Sequence, residues 1–393
     1  MKFLTVSMYS EGHGGYERHR RVSRALIEAG HEVIWLAPGI NVAVGEEFIP
    51  LIDAYGWVPG PLGWALQLRA SLAHYRERLK DVDAVFTTKE YDAFGCVLDS
   101  FVGALPHIFF LHGDTIECGK YLAKNSAHIK RRLESRLMLS FYPWLQRKIL
   151  KRFSHAVVQA DFLANALKKR HPNIKCEYII LESDSVFDWH PETADPEHVA
   201  LVKSLKAEGK FIVGAIAQVF YRAKGFDILL DAMKRLSDIP DIHTVIVGYG
   251  DEAPLIPENI KRLGLENQVT FLGRSPAAHN LMPIMDVIVA PTQFFDAFPT
   301  VILEAMESDC CILGSDIDAH QTQLKYDDLM FPNGDDVVLA GRLIELYSDD
   351  AARQRNHELV EKRKHHFEFD WDSQVVEILE TGALQALTGH KFQ

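Results

Sequence analysis

At 393 residues, with 47% of them hydrophobic and 24% charged, the chain is too long for one ordinary core and too apolar to be disordered or fibrous, which points to two globular domains. A formal net charge of −12 excludes a protein whose whole surface courts nucleic acid, because phosphate neutralisation needs a basic face. The five cysteines (Cys96, Cys118, Cys176, Cys310 and Cys311) are odd in number and lack C-x-x-C spacing, so they read as reduced packing residues of a cytoplasmic protein rather than a disulfide framework or a zinc site.

The opening run "MKFLTVSMY" is too short for a signal peptide and turns at once into a glycine-rich loop, which predicts a first strand. An amphipathic helix follows over 14–29, with Val22, Ala25, Leu26 and Ala29 on one face and Arg18, Arg20, Arg21 and Arg24 largely elsewhere. "EVIWLAP", a helix over 62–79, "DAVFTT", "HIFFLH" and "HAVVQA" continue the alternation that signals a parallel sheet covered by helices. The rhythm breaks at 181–199, where acids and prolines mark an interdomain linker. A second series begins with "KFIVGAIAQ" and runs through a helix over 225–236, "HTVIVGYG", "QVTFLG", "MDVIVAPT", a helix over 299–308 and "CCILGSD". Both halves are predicted to be doubly wound α/β domains, at 1–185 and 200–370, with the amphipathic tail 371–393 packing back on the first. No stretch approaches the roughly 20 uninterrupted apolar residues that cross a bilayer. Two such domains facing each other leave a cleft lined by the carboxyl ends of their strands, where ligands of these sheets bind.

The richest segment is 290–316, "APTQFFDAFPTVILEAMESDCCILGSD", which reads as strand end, loop, helix and next strand. Pro299 suits a first helical turn, leaving the amides of Phe298, Thr300 and Val301 free at a helix N-terminus, a ready site for a diphosphate. Asp296 lies in the loop before the helix and Glu304 within it, eight positions on, so one carboxylate can meet a sugar and the other a ribose. Alone, each is equally an ordinary helix-start acid or a solvated helix residue.

The string "DAFPTVILEAM" resembles the E-x7-E signature of the retaining glycosyltransferases of family 4, which have the two-domain GT-B fold; Asp296 stands where the family has Glu. The resemblance covers nearly the whole chain and is strongest in the C-terminal half. It implies that Glu304 grips the ribose hydroxyls of a nucleotide-sugar donor and that Asp296 approaches the sugar. It also implies a loop Lys and Arg that hold the diphosphate. Lys224, before Gly225 and Phe226, fits the Lys, whereas the Arg position falls on Gln218, or on Val219 with the loop counted one shorter. Arg222 stands nearby as a substitute from another angle. Loss of a bidentate cation there weakens charge stabilisation on the leaving diphosphate.

Gly248-Tyr249-Gly250 with Ala253 formally matches G-x-G-x-x-A, but it follows a later strand of its domain and carries Asp251 and Glu252, so a family-like turn is preferred to a nicotinamide-dinucleotide site. The resemblance places Arg274, after "QVTFLG", near the base. In the first half it implies that Gly14 and Gly15 approach the donor phosphate or acceptor. It assigns His112, at the end of "HIFFLH", to the reacting sugar; His13, Glu11 and Asp114, near it in sequence, are candidate acceptor contacts among which the sequence does not select.

From Lys120 to Arg152 ten Lys or Arg face one acid, Glu134, interleaved with the bulky "LMLSFYPWLQRKIL". Two readings stand: a helix on the inner face of an anionic membrane, suiting a glycan or lipid-linked acceptor, or a core-packed helix with solvated cations; Pro143 is expected to interrupt or start it. The D-x-D strings Asp81–Asp83 and Asp316–Asp318 open and follow strands, and the GT-B resemblance implies no catalytic metal or other cofactor. The resemblance thus implies a hexosyltransferase acting with retention. Gln218 and Asp296 motivate the alternative of a catalytically impaired GT-B pseudoenzyme serving as partner or regulator.

Overall fold

The computed structural model describes residues 1–7, 14–38, 45–52, 60–111, 113–126, 129–153, 155–184, 194–294 and 296–388. The chain divides into two units, one of Met1–Ala123, Leu133–Glu182 and Asp370–Gln393, the other of Lys124–Arg132 and Ser183–Phe369.

The first unit holds strands β1 (Lys2–Val6), β2 (Glu32–Ala37), β3 (Glu46–Pro50), β4 (Ala84–Thr87), β5 (His107–Leu111), β6 (His155–Val158) and β7 (Glu177–Ile180). They form one parallel sheet in the order β3-β2-β1-β4-β5-β6-β7. Its helices are α1 (Gly14–Glu28), α2 (Gly60–His74), α3 (Glu90–Leu98), α4 (Thr115–Asn125), α5 (Ile129–Arg152) and α6 (Asp161–Arg170). Central strands of a parallel sheet are covered on both faces, which is why β1, β4, β5 and β6 are mostly apolar and buried almost throughout. On one face Leu4, Val6, Ile34, Leu36 and Val85 pack against Leu68 and Leu72 of α2 and Cys96 of α3. The edge strands β3 and β7 are only partly buried and carry no such run, so the sequence pattern missed them.

The second unit holds β8 (Phe211–Ile216), β9 (Ile242–Val247), β10 (Val269–Gly273), β11 (Val287–Ala290), β12 (Cys311–Ser315) and β13 (Met330–Phe331), in the parallel order β10-β9-β8-β11-β12-β13. Around it lie α7 (Pro196–Ala207), α8 (Phe226–Arg235), α9 (Leu255–Leu263), α10 (Thr300–Glu307), α11 (Asp318–Leu324), α12 (Asp336–Ser348) and α13 (Asp350–Lys364). Period-two alternation splits the core: Val213, Ala215, Val287 and Val289 face Phe226, Leu229, Leu230 and Met233 of α8, while Ile212, Ile288 and Ala290 face Ile302, Leu303 and Met306 of α10.

Several local expectations change. Helix α7 occupies the end of the segment read as linker, because Asp195 caps it by accepting from the Glu197 amide at 2.9 Å and Pro196 suits its first turn. Helix α5 runs straight through Pro143, since buried Tyr142, Leu145 and Ile149 hold its flanks while the ring removes only one ladder bond. The cysteines are all free, and four of them are buried. Helix α14 (Trp371–Thr388) packs on α1 and β5 within the first unit. Arg21 holds Asp372 with two bonds of 2.9 and 3.2 Å and lies over the Trp371 ring.

Candidate active site

In the second domain the strand order reverses between β8 and β11, so the crevice beyond their carboxyl ends is the site such a sheet offers to a ligand. The loops leaving these two strands carry Lys224 and Asp296. The Lys224 ammonium and the Asp296 carboxylate form an ion pair, both largely withdrawn from solvent, and the Ala297 amide donates to Asp296 Oδ1 at 3.0 Å.

Backbone geometry brings the loops together. Gly225 caps α8 in the left-handed region (φ 67°), and a β-carbon there would collide with the Pro291 carbonyl, so only glycine lets the loop after β8 lie against the loop after β11. Gln293, which carries no sequence signal, straps them: its amide donates to the Ala223 carbonyl at 2.8 Å, and its side chain donates to the Arg222 carbonyl at 3.0 Å and to Asp227 at 2.8 Å. Glu252, buried rather than facing a pyrophosphate, accepts the Tyr221 amide at 2.7 Å. Beneath the second loop Ser315 donates to the Thr292 carbonyl, and buried His320 places Nδ1 2.8 Å from the Ser315 carbonyl. Burial lowers the His320 pKa to about 4, with Asp296 opposing and Lys224 adding to the shift, so the ring is neutral near pH 7.

Pro299 is the cap of α10 rather than its first residue: its ψ of 120° is extended, and the helix starts at Thr300. Among the described residues nothing accepts a hydrogen bond from the amides of Phe298, Thr300 or Val301. Phe298 is buried edge-on against Phe367, Thr300 is exposed, and Val301 is half-buried. One turn on, Glu304 is partly buried; desolvation pushes its pKa up to about 7 against the Thr300 hydroxyl, which lowers it.

Gly248 fits directly against the Ala217 carbonyl, and its amide donates to the Gly273 carbonyl at 2.8 Å, which ties the ends of β9 and β10 to the loop after β8. That turn follows the second strand of the domain, where G-x-G-x-x-A has no dinucleotide role. Arg274 is exposed and stacks over the Tyr249 ring at 5.1 Å, while Gln218 and Arg222 are exposed, Arg222 lowering the pKa that burial raises at Asp227.

In the first domain Gly15 lies in the opening turn of α1, and Glu11, His13 and His112 fall outside the described residues. Asp114 is taken up by structure: Oδ1 accepts the Ile116 amide at 3.0 Å at the start of α4, and Arg170 grips both oxygens at 3.2 and 2.6 Å. Among the described residues no cluster of three or more His, Cys, Asp or Glu is arranged to hold a metal ion.

Two doubly wound domains define the class, and solved structures extend the likeness over the whole chain. A sucrose-phosphate synthase from Thermosynechococcus elongatus matches with a TM-score of 0.71 at 18% identity, covering 99% of this chain and 100% of that one. Anabaena HepE, in complex with UDP and glucose, matches with a TM-score of 0.72 at 17% identity, covering 97% and 100%. The fold is GT-B. Residues 13–179 match the family model described as Glycosyltransferase Family 4, and residues 200–365 match that described as Glycosyl transferases group 1. The chain belongs to the family 4-like glycosyltransferases. A phosphatidyl-myo-inositol mannosyltransferase of Mycobacterium leprae is 31% identical over 182 residues, 43% of this chain and 46% of that relative, so the match spans just under half of the relative's length.

Proposed function

We propose that the protein transfers a sugar from a nucleotide-diphosphate sugar to an acceptor hydroxyl with retention of configuration. The observation that carries this reading is the Lys224–Asp296 pair at the switch point, beside the amides that open α10, which find no acceptor among the described residues, and one turn from Glu304. A diphosphate laid on those amides competes with Asp296 for Lys224 and frees the Asp296 carboxylate for sugar hydroxyls. Glu304, once ionised, accepts both ribose hydroxyls. The bond from acceptor oxygen to anomeric carbon forms on the face from which the diphosphate leaves, and the acceptor proton passes to the departing phosphate oxygen. Lys224 and the helix amides stabilise the charge that develops there, without any assigned metal.

The acceptor is proposed to be lipid-linked. Helix α5 supports this: Leu133, Leu137 and Trp144 are exposed among exposed Arg136, Arg147, Lys148 and Lys151, while its opposite face is buried. Apolar side chains rimmed by cations suit an anionic membrane surface. No helix among the described residues is long and apolar enough to span a membrane.

The test is a thermal-shift panel of UDP-, GDP-, ADP- and dTDP-sugars on the wild type and Glu304→Ala, followed by transfer assays with the responsive donor. A shift from one nucleotide that disappears in the variant supports the reading and names the base. A folded protein that responds to none overturns it. Binding without turnover identifies the impaired-enzyme alternative.

A further inference from the structure

The first domain reverses strand order between β1 and β4, so it too has a switch point at its strand carboxyl ends. Buried hydroxyls of β1 and of the end of β4 lie against imidazole nitrogens, and among the described residues His107 Nδ1, at the start of β5, is buried with no partner. The Thr5 hydroxyl lies 2.8 Å from His19 Nε2, the Thr88 hydroxyl 3.1 Å from His19 Nδ1, and the Thr87 hydroxyl 2.9 Å from His107 Nε2. Burial lowers the pKa of both histidines to about 3, so this floor is uncharged.

Glu90 places a carboxyl beside this floor. It opens α3, three residues past the end of β4, and is only 1% exposed. Its Oε2 accepts the hydroxyl of Thr115, the first residue of α4, at 3.0 Å, so the carboxyl joins the helices that follow β4 and β5. Its Oε1 is buried, and among the described residues nothing donates a hydrogen bond to it. Burial raises its pKa, opposed first by the Lys89 charge and then by its own backbone amide and the Thr115 hydroxyl. A buried carboxyl oxygen without a donor costs stability, so at a ligand-binding switch point it calls for a donor from outside the fold. The missing partner is a donor, which favours a hydroxyl over the acceptor-only oxygens of a phosphate or carboxylate.

We propose that Glu90 recognises the acceptor: its Oε1 accepts a hydrogen bond from a neutral hydroxyl of a polyol or sugar bound at the switch point of the first domain. This rests on the glycosyltransferase reading, with the acceptor on the first domain and the donor on the second.

The experiment compares Glu90→Gln with the wild type in four measurements. These are melting temperature, thermal shift by the responsive donor, donor hydrolysis without acceptor, and transfer to phosphatidylinositol vesicles, myo-inositol and octyl mannoside. Expected for the variant are a melting temperature equal to or above that of the wild type, with unchanged donor shift and hydrolysis. Its kcat/KM for transfer should fall roughly 10- to 100-fold, through a raised acceptor KM. A variant that melts below the wild type shows that the fold itself needs the carboxylate and overturns the proposal, whichever acceptors respond. Undiminished transfer overturns it too. A wild type that binds no nucleotide sugar instead refutes the glycosyltransferase reading, so the two failures are separable.

Discussion

Lowering the pH from 8 to 6 should weaken nucleotide-sugar binding through Glu304. Desolvation lifts this carboxyl from its ordinary 4.5 to about 7, so it titrates within a range in which the protein can be studied. Ribose hydroxyls need acceptors, and protonation turns one acceptor oxygen into a donor. With a pKa of about 7, roughly ten carboxyls in eleven are ionised at pH 8 and roughly one in eleven at pH 6, so affinity falls about tenfold, or about 1.4 kcal/mol. The assay is isothermal titration calorimetry with an intact nucleotide sugar, because a free nucleoside diphosphate has a terminal phosphate that titrates near pH 6. Glu304→Gln should bind more weakly and lose the pH dependence. The same shift predicts stability with the opposite sense. A carboxyl whose folded pKa is raised contributes stability fully present below the unfolded value near 4.5 and lost as pH rises through about 7. The glutamine variant should therefore melt above the wild type at pH 8, with the gap closing below about pH 4.5. A flat binding profile in the wild type, or an unaltered slope in the variant, would refute the reasoning.

Gly225→Ala should lower stability by about 2–4 kcal/mol and abolish the donor shift, since the methyl group meets the Pro291 carbonyl and the positive φ is strained; differential scanning calorimetry measures the first effect. Gln218→Arg changes an exposed side chain at the end of β8, so it should leave the melting temperature unchanged while raising turnover about tenfold or more, if a second cation assists the leaving diphosphate. Replacing Leu137 and Trp144 together by Glu should reduce cosedimentation with phosphatidylglycerol vesicles about tenfold, and raising the salt should weaken wild-type binding in the same assay. Equal cosedimentation of mutant and wild type would count against the membrane role of α5.

The two-domain α/β character was legible because parallel strands buried on both faces are predominantly apolar: "FIVGAI", "VIVA" and "CILGS" declare themselves without any knowledge of their neighbours. The spacing that sets Asp296 before a helix and Glu304 one turn inside it was legible for the same reason, because a helix start and its first turns are determined within a few residues. Strands β3, β7 and β13 were not, since these edge strands owe their place to a partner rather than to their own pattern, whereas the edge strand β10 carries an apolar run of its own. Pro299 was misplaced by one position, where proline serves equally as cap or first residue.

Partnership across sequence distance lay beyond local reading. Asp114 suggested an acceptor contact until Arg170, 56 residues on, took both its oxygens, and nothing near Gln293 announces that it binds a loop about seventy residues earlier. Even the raised pKa of Glu304 comes from packing that no spacing reports. By itself the sequence determined element type, the doubly wound class and the chemical identity of the candidate residues, all of which depend on contacts within one turn or one strand. Strand order, the meeting of Lys224 with Asp296 and the unmade hydrogen bond of Glu90 were decided by the tertiary structure alone, because each depends on which distant segments the folded core brings to the same strand ends.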